Sequence, residues 1–279
     1  MCVIIWVEKG RIMEKQEILK EYKNQEEKIL LSFILDKIKF VEKTNKIQNT
    51  NFLNMQQISL VESFLEKIKY TNYILWGGYG KAERQVLIIY PDKLNKEMVE
   101  KNYTKIMSII RIKLQEADYG KYSHRNYLGG IIKLGLEREK IGDILVTKEG
   151  ADIIALNEAK TFLLQELPML TRFNGSNIIE ETIDNLNKTE QQIEIIKIIV
   201  PSVRIDNFVS DLARTSRTKA LDIIKSERVF VNGKLEIKTS KQIKVDDIIT
   251  IRGKGRFVVK GFIGTTRSGR TIVEIEKYI

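Results

Sequence analysis

The chain has 279 residues, enough for two or three domains, and carries 47 Lys and Arg against 37 Asp and Glu, a net charge of +10. One cysteine, Cys2, excludes an internal disulfide and any multi-cysteine metal centre, and a single histidine, His124, argues against a histidine-based one. The excess charge is uneven: residues 201–279 hold 17 basic and 9 acidic side chains, so +8 of the +10 falls on the last module, the footprint of a polyanion binder.

Residues 1–12 fit no pattern that follows, and Val3–Val7 is too short for a signal-peptide core; Met13 is the expected natural start. From Met13 a long helix is predicted, with Ile18, Tyr22, Ile29, Phe33 and Ile38 as a partial apolar stripe among charges. Lys43–Asn51 reads as a polar break. A second helix over Gln56–Lys69 turns Ile58, Val61, Phe64, Leu65 and Ile68 inward. Two strands, Tyr73–Trp76 and Gln85–Tyr90, flank Gly77-Gly78-Tyr79-Gly80-Lys81-Ala82-Glu83-Arg84. No Gly-Lys-Ser/Thr ending and no following helix support a nucleotide loop, so the segment reads as a turn of close backbone approach with Arg84 exposed beside it.

From Ile106 a regular order emerges: strand Ile106–Gln115, helix His124–Leu134, strand Ile144–Thr147, strand Ala151–Leu156, a helix over Glu158–Leu167 capped by Asn157, and a closing strand Gln192–Val200. This is the split βαβ order of ferredoxin-like and RRM domains. The strand around Ile153 carries no aromatic, so the stacking platform typical of RRM domains is missing.

Pro201-Ser202 then punctuate the chain. Ser202 is placed to cap a helix with Ile205, Phe208, Val209 and Leu212 buried, and a second helix opens at Thr215-Ser216 with Ala220, Leu221 and Ile224 inward. Arg217 and Lys219 sit in the first turn, where cations are misplaced by up to about 1 kcal/mol against the helix dipole. A bound phosphate would reverse that penalty. Arg228-Val-Phe-Val-Asn232-Gly233-Lys234 reads as a strand entering an Asn-Gly hairpin turn, followed by Asp246-Asp247-Ile248-Ile249-Thr250-Ile251-Arg252 and a basic corner, Gly253-Lys254-Gly255-Arg256. Phe257–Phe262 and Thr271–Tyr278 form a closing hairpin across Arg267–Arg270.

Ser216-Arg217-Thr218, Val229-Phe230-Val231-Asn232-Gly233 and Asp247-Ile248-Ile249 resemble, at the right separations, the RNA-binding domain named after ribosomal protein S-four. Glu227 stands where that domain usually has Gly, at a helix end that wants a left-handed residue. Phe52-Leu-Asn, Gly77-Gly78-Tyr79 with Ala82-Glu83-Arg84, His124-Arg125-Asn126-Tyr127-Leu128-Gly129 and Leu134-Gly135-Leu136-Glu137-Arg138-Glu139-Lys140-Ile141-Gly142-Asp143-Ile144 extend the likeness in order. From about residue 14 to the end the chain resembles the bacterial YlmH-type family, encoded near cell-division genes. Asn126 replaces the family's usual Asp, and Asn54-Met55 its Asp-Pro. The resemblance implies an RNA-binding protein without catalysis, acting on the large ribosomal subunit with peptidyl-tRNA in the rescue of stalled nascent chains.

The expected architecture is α+β: an N-terminal helical segment over 1–70, an RRM-like βαββαβ domain over 71–200 and an S-four-type domain over 201–279. The expected RNA contacts are Arg204, Asp206, Thr215, Ser216, Arg217, Thr218, Lys219, Asn232, Gly233, Lys234, Lys241, Arg252, Lys254 and Arg256, with Arg84, His124, Arg125 and Arg138 as a second surface whose three arginines read equally as backbone-contacting or structural. His124 beside Arg125 could be read as a general acid/base, but no nucleophile or carboxylate partner is recognisable, and a helix-start packing role is favoured. A pseudouridine synthase would carry the last module before a catalytic domain, and a tyrosyl-tRNA synthetase would need a Rossmann domain. A cell-division scaffold would leave the +8 unexplained. The expectation is thus a cytoplasmic monomer whose partners are large-subunit ribosomal RNA and tRNA, with no catalytic residue, cofactor, metal, small-molecule substrate or membrane.

Overall fold

The computed structural model describes residues 6–8, 11–13, 15–80, 82–187 and 193–278. The chain divides into two compact units, Met1–Thr189 and Glu190–Ile279. Both mix helices with antiparallel sheets, so the fold is α+β.

The first unit begins with a strand pair, β1 (Trp6–Glu8) and β2 (Arg11–Met13), in the segment expected to lack pattern; Met1–Ile5, Lys9 and Gly10 of that segment lie outside the described residues. Three residues per strand are too few for periodicity to register. The expected long helix is two: α1 (Lys15–Lys20) and α2 (Gln25–Thr44), separated where the Asn24 side chain accepts the Glu26 amide at 2.8 Å and caps α2. Ile18 and Ile38 are buried as expected, but Ile29 and Phe33 are exposed. The face that packs is Leu31, Ile34, Leu35, Ile38 and Val41, a complete three-and-four spacing that the isolated pair at 29 and 33 lacks.

The expected polar break contains the start of a strand, β3 (Gln48–Leu53). Thr50 is buried there, its hydroxyl accepting the Leu87 amide at 3.0 Å, across a register shift between Asn49 and Phe52. Helix α3 (Met55–Lys67) follows, opened by a capping box of Asn54 and Gln57, and then β4 (Tyr73–Trp76) and β5 (Gln85–Ile89). The three strands form one sheet in the order β3-β5-β4. The sheet thus runs across the boundary expected at residue 70.

After α4 (Lys96–Glu100) come β6 (Met107–Lys113), α5 (His124–Lys133), β7 (Ile141–Thr147), β8 (Gly150–Leu156), α6 (Asn157–Glu166) and β9 (Asn177–Glu181). Their antiparallel order β7-β8-β6-β9 is the split βαβ arrangement. Its closing strand is β9, not the expected Gln192–Val200. Asn157 does not cap α6: Leu156 holds that position, and the Asn157 side-chain amide donates to the Thr104 carbonyl at 2.8 Å.

Alternation gives this sheet two buried faces. Ile110, Ile112 and Ile153 pack with Tyr127, Ile131 and Leu163 of α5 and α6. Ile109, Ile154 and Leu156 pack with Phe52, Ile74, Val86 and Ile88 of the three-stranded sheet, whose other face carries Leu53, Leu87 and Ile89 against α2 and α3. The unit is a helix–sheet–sheet–helix stack. β8 is buried along its whole length, so the face on which an RRM domain stacks bases is filled by the chain's own N-terminal sheet.

In the second unit β10 (Ile193–Val200) leads into α7 (Ile205–Leu212), α8 (Arg217–Lys225), β11 (Val229–Val231), β12 (Lys234–Leu235), β13 (Ile248–Ile251), β14 (Gly255–Thr265) and β15 (Thr271–Tyr278). The sheet order is β10-β15-β14-β13-β11-β12. β10 pairs with β15 from Ile193↔Tyr278 to Val200↔Thr271, so this strand belongs to the C-terminal unit and the boundary expected at 200 falls inside one sheet. A β-branched run announces a strand but not its partner. The two helices cover one sheet face, burying Ile205, Phe208, Val209, Ala220 and Ile224. Arg204, not Ser202, stands at the cap of α7; the Ser202 hydroxyl instead accepts the Asn207 side-chain amide at 2.8 Å. Glu227 has φ +57°, the left-handed geometry the resemblance implied, at a cost of about 1 kcal/mol for a residue with a side chain. Asn232 and Gly233, at φ +52° and +75°, make the predicted hairpin turn.

Candidate nucleic-acid interface

The start of α8 is built on a buried carboxylate. Asp206, in the first turn of α7, is 1% exposed and binds two guanidiniums. Arg204 donates through Nε and Nη2, each at 3.1 Å, and Arg217 through Nε at 3.2 Å and Nη2 at 2.9 Å. Burial pushes the Asp206 pKa up, but the hydrogen bonds and charges of Arg204 and Arg217 outweigh it and hold the carboxyl below its ordinary value. The two arginine side chains remain 35% and 61% exposed, so the clamp fixes them while leaving them at the surface. Ser216 caps α8, accepting the Lys219 amide at 3.3 Å, and Thr215 is tied to Ser210 through the Ser210 hydroxyl at 2.7 Å. Thr218 and Lys219 are exposed on the same first turn. Lys241 is close by: its carbonyl accepts the Ile205 amide at 2.8 Å, and Arg204 bridges to Gln242. The expected residues around Arg217 therefore form one cluster of cations, hydroxyls and free helix-start amides, with Asp206 as its internal anchor and not an outward contact.

The remaining expected contacts lie elsewhere. Asn232 uses its side chain on the protein, donating to Asp247 and accepting the Ile248 amide, both at 2.8 Å, so Asn232 and Gly233 shape the turn that presents exposed Lys234. Arg252, Lys254 and Arg256 form the β13–β14 corner. Arg228 Nη2 donates to the Arg252 carbonyl at 2.8 Å, which places that corner at the end of α8. Arg217 opens this nine-residue helix, so the length of the helix, roughly 13 Å of axial rise, lies between the two groups.

In the first unit the motif residues converge on Asp143 of β7. Its carboxylate accepts the Tyr79 hydroxyl at 2.8 Å and the amides of Glu83 and Arg84 at 2.7 and 3.1 Å, pinning the glycine-rich turn. A Cβ on Gly77 would lie 2.2 Å from the Arg84 carbonyl, which is the close backbone approach expected there; Lys81 lies outside the described residues. Arg84, expected to be exposed, is half-buried: it donates to the Ile141 and Phe52 carbonyls, both at 3.0 Å. Arg138 donates to Ile141 and Gly142 at 2.6 and 3.1 Å; burial, then the Arg84 charge, lower its pKa to about 10, so it stays charged at neutral pH. These two arginines join β3, β5 and β7 across the sheet–sheet seam and are spent on carbonyls. Arg125 and His124 are exposed at the start of α5.

The protein around His124, and the neighbouring Arg138, lower its pKa against smaller opposing effects of Asp143 and Glu83. As the chain's single histidine, its ring-proton NMR resonance should titrate below the ordinary value of about 6.5. Arg138→Gln should move that midpoint upward; an unmoved midpoint would show that Arg138 does not reach the ring.

Residues 26–94 match the family model described as "YlmH, N-terminal", and residues 101–183 match "Putative RNA-binding domain in YlmH". Together they span more than half of the chain. The chain belongs to the YlmH family. The first YlmH model ends after the three-stranded sheet and the second covers the split βαβ domain, in line with the sheet boundaries described above. A curated relative, "Ribosome-associated protein quality control protein P2" of Bacillus subtilis, is 25% identical over 256 residues, covering 91% of this chain and 96% of the relative. A solved structure, "Cell division protein ylmH from Streptococcus pneumoniae", is 20% identical with a TM-score of 0.47 over 60% of this chain and 98% of that one. Among the described residues, no helix of this YlmH protein is long and apolar enough to cross a membrane.

Proposed function

We propose that this YlmH-family protein is a non-catalytic, cytoplasmic, monomeric adaptor that binds structured RNA, and that its target is the large ribosomal subunit carrying peptidyl-tRNA during rescue of stalled nascent chains. The observation that carries the reading is the Asp206 clamp. A carboxylate taken almost wholly out of water holds two arginines beside a helix start that carries cations and no acidic residue in its first turn, an arrangement that suits a phosphate better than solvent. The B. subtilis relative, named for ribosome-associated quality control, supports the ribosomal setting, and the concentration of basic charge in residues 201–279 supports a polyanion. Contacts are assigned to Arg204, Ser216, Arg217, Lys219 and Lys241 in the first place, with Lys234, Arg252, Lys254 and Arg256 extending the footprint.

Binding of purified ribosomal subunits should weaken steeply with salt. About five neutralised phosphates give a slope of log K on log salt near −4. Arg217→Ala with Lys219→Ala removes two of them and should flatten the slope by roughly 1.5. A folded double mutant with the wild-type slope would remove the α8 start from the interface. Co-sedimentation followed by crosslinking of the bound RNA tests the assignment to the large subunit.

A further inference from the structure

The outer face of the C-terminal sheet carries an arrangement that phosphate binding does not require. Val229, Val231, Ile249, Ile251 and Phe257 turn toward α7 and α8, so strand alternation sends Phe230, Thr250, Arg252, Arg256 and Tyr278 to the opposite face. They lie side by side: Phe230 pairs with Thr250, Thr250 with Arg256, and the Phe257↔Lys277 register sets Tyr278 beside Arg256. The Arg252 guanidinium lies 5.0 Å from the Phe230 ring centroid, and that of Arg256 lies 5.0 Å from the Tyr278 ring centroid. Phe230 is buried on a face that neither helix covers, with Arg252 over its ring.

Two guanidiniums laid over rings present planes, where a phosphate needs only the N–H edges or a point charge. Exposed Arg228 and Lys254 add positive charge around them. A planar, cationic, partly apolar step of this kind fits an unpaired nucleobase, which stacks on guanidinium planes and aromatic rings alike.

We propose that the outer corner formed by Arg252 and Arg256 over Phe230 and Tyr278 is a stacking site for one unpaired nucleobase of the RNA held at the α8 start. It rests on the RNA reading above, and it adds a second, chemically different contact on the other face of the same sheet. The site recognises a bulged or looped nucleotide next to a helix, without demanding a particular base.

The full-length protein is titrated with an RNA duplex and with the same duplex carrying one bulged, fluorescent adenine analogue. The bulged RNA should bind more tightly, and its fluorescence should be quenched at saturation as the analogue stacks. Arg252→Lys with Arg256→Lys keeps both charges but removes both planes. It should weaken binding of the bulged RNA about tenfold more than binding of the duplex, and abolish the quench. Duplex binding by this variant also reports that it is folded. Equal affinity of variant and wild type for the bulged RNA would overturn the site, as would an unquenched analogue on saturated wild-type protein. Wild-type protein that binds neither RNA would instead overturn the RNA reading itself.

Discussion

Replacing Asp152 by alanine is expected to destabilise the first unit by about 3–5 kcal/mol, because it leaves a buried guanidinium without its counter-charge. Asp152 on β8 is fully buried, and its partner across the sheet, Arg111 on β6, is 11% exposed. The pair is bidentate, Nε to Oδ1 at 2.7 Å and Nη2 to Oδ2 at 2.8 Å, and the Asn187 amide donates to the same carboxylate at 2.8 Å. The carboxylate therefore also ties down the segment that leaves β9. Both tryptophans, Trp6 and Trp76, lie in this unit, so tryptophan fluorescence during urea unfolding reports on it alone. The double variant Arg111→Met, Asp152→Leu should recover most of the loss, since well-packed apolar side chains often replace a buried pair without penalty. A single variant within about 1 kcal/mol of wild type would mean that Arg111 finds another partner, with Glu181 at 3.5 Å the nearest candidate.

What was legible in the chain depended on whether a feature is local. The α8 start, the Asn-Gly turn and the left-handed position at Glu227 are each fixed by a few neighbouring residues, and all three are present. The split βαβ order was legible as far as α6, because those strands and helices are long and differ in period, but its closing strand β9 was missed. Partnership was not. Gln48–Leu53 reads as polar because Thr50 spends its hydroxyl on the Leu87 amide, and only the fold supplies that donor. Ile193–Val200 reads as a strand in any setting; its register with β15 was set by residues some 80 positions later. Arg84 looked like a surface cation beside a turn, yet the carbonyls it serves belong to Phe52 and Ile141, far apart in sequence.

The same distinction separates the two arginine groups of the candidate interface. Arg217 could be found from the motif around it, but nothing local announces that Asp206 grips it. Arg252 and Arg256 were found as charges, whereas their rings, Phe230 and Tyr278, come from two other strands. The filled face of the four-stranded sheet has a consequence for the domain matched as RNA-binding. Ile109, Ile154 and Leu156 are covered by the N-terminal sheet, so any RNA it meets must be met by loops, edges or helix starts such as that of α5.

Asp206→Asn is the change that should affect RNA binding most for the least alteration in shape. Two effects oppose each other. Removing a negative charge near a bound phosphate favours binding, by about 0.6 kcal/mol for charges about 7 Å apart in water. Against it, two long side chains lose their fixed positions, and ordering each again on binding costs about 0.5–1.5 kcal/mol. The second effect prevails, and affinity should fall about tenfold while the salt slope stays near its wild-type value, since the number of phosphate contacts is unchanged. Fold stability should drop by about 1–2 kcal/mol, in the range for hydrogen bonds to a charged group and well short of a fully buried pair, because both guanidiniums can rehydrate. The pH dependence follows from the lowered Asp206 pKa. A carboxyl depressed in the folded state contributes stability that is present above its unfolded value of about 3.9 and is lost as pH falls through the lower folded value. Wild type and Asp206→Asn should thus differ in stability at pH 6 and converge in acid below about pH 4. Fluorescence anisotropy with ribosomal RNA at two salt concentrations, alongside urea melts at both pH values, measures all three. Tighter binding by Asp206→Asn would show that the carboxylate only offsets the charge of the two arginines and does not position them.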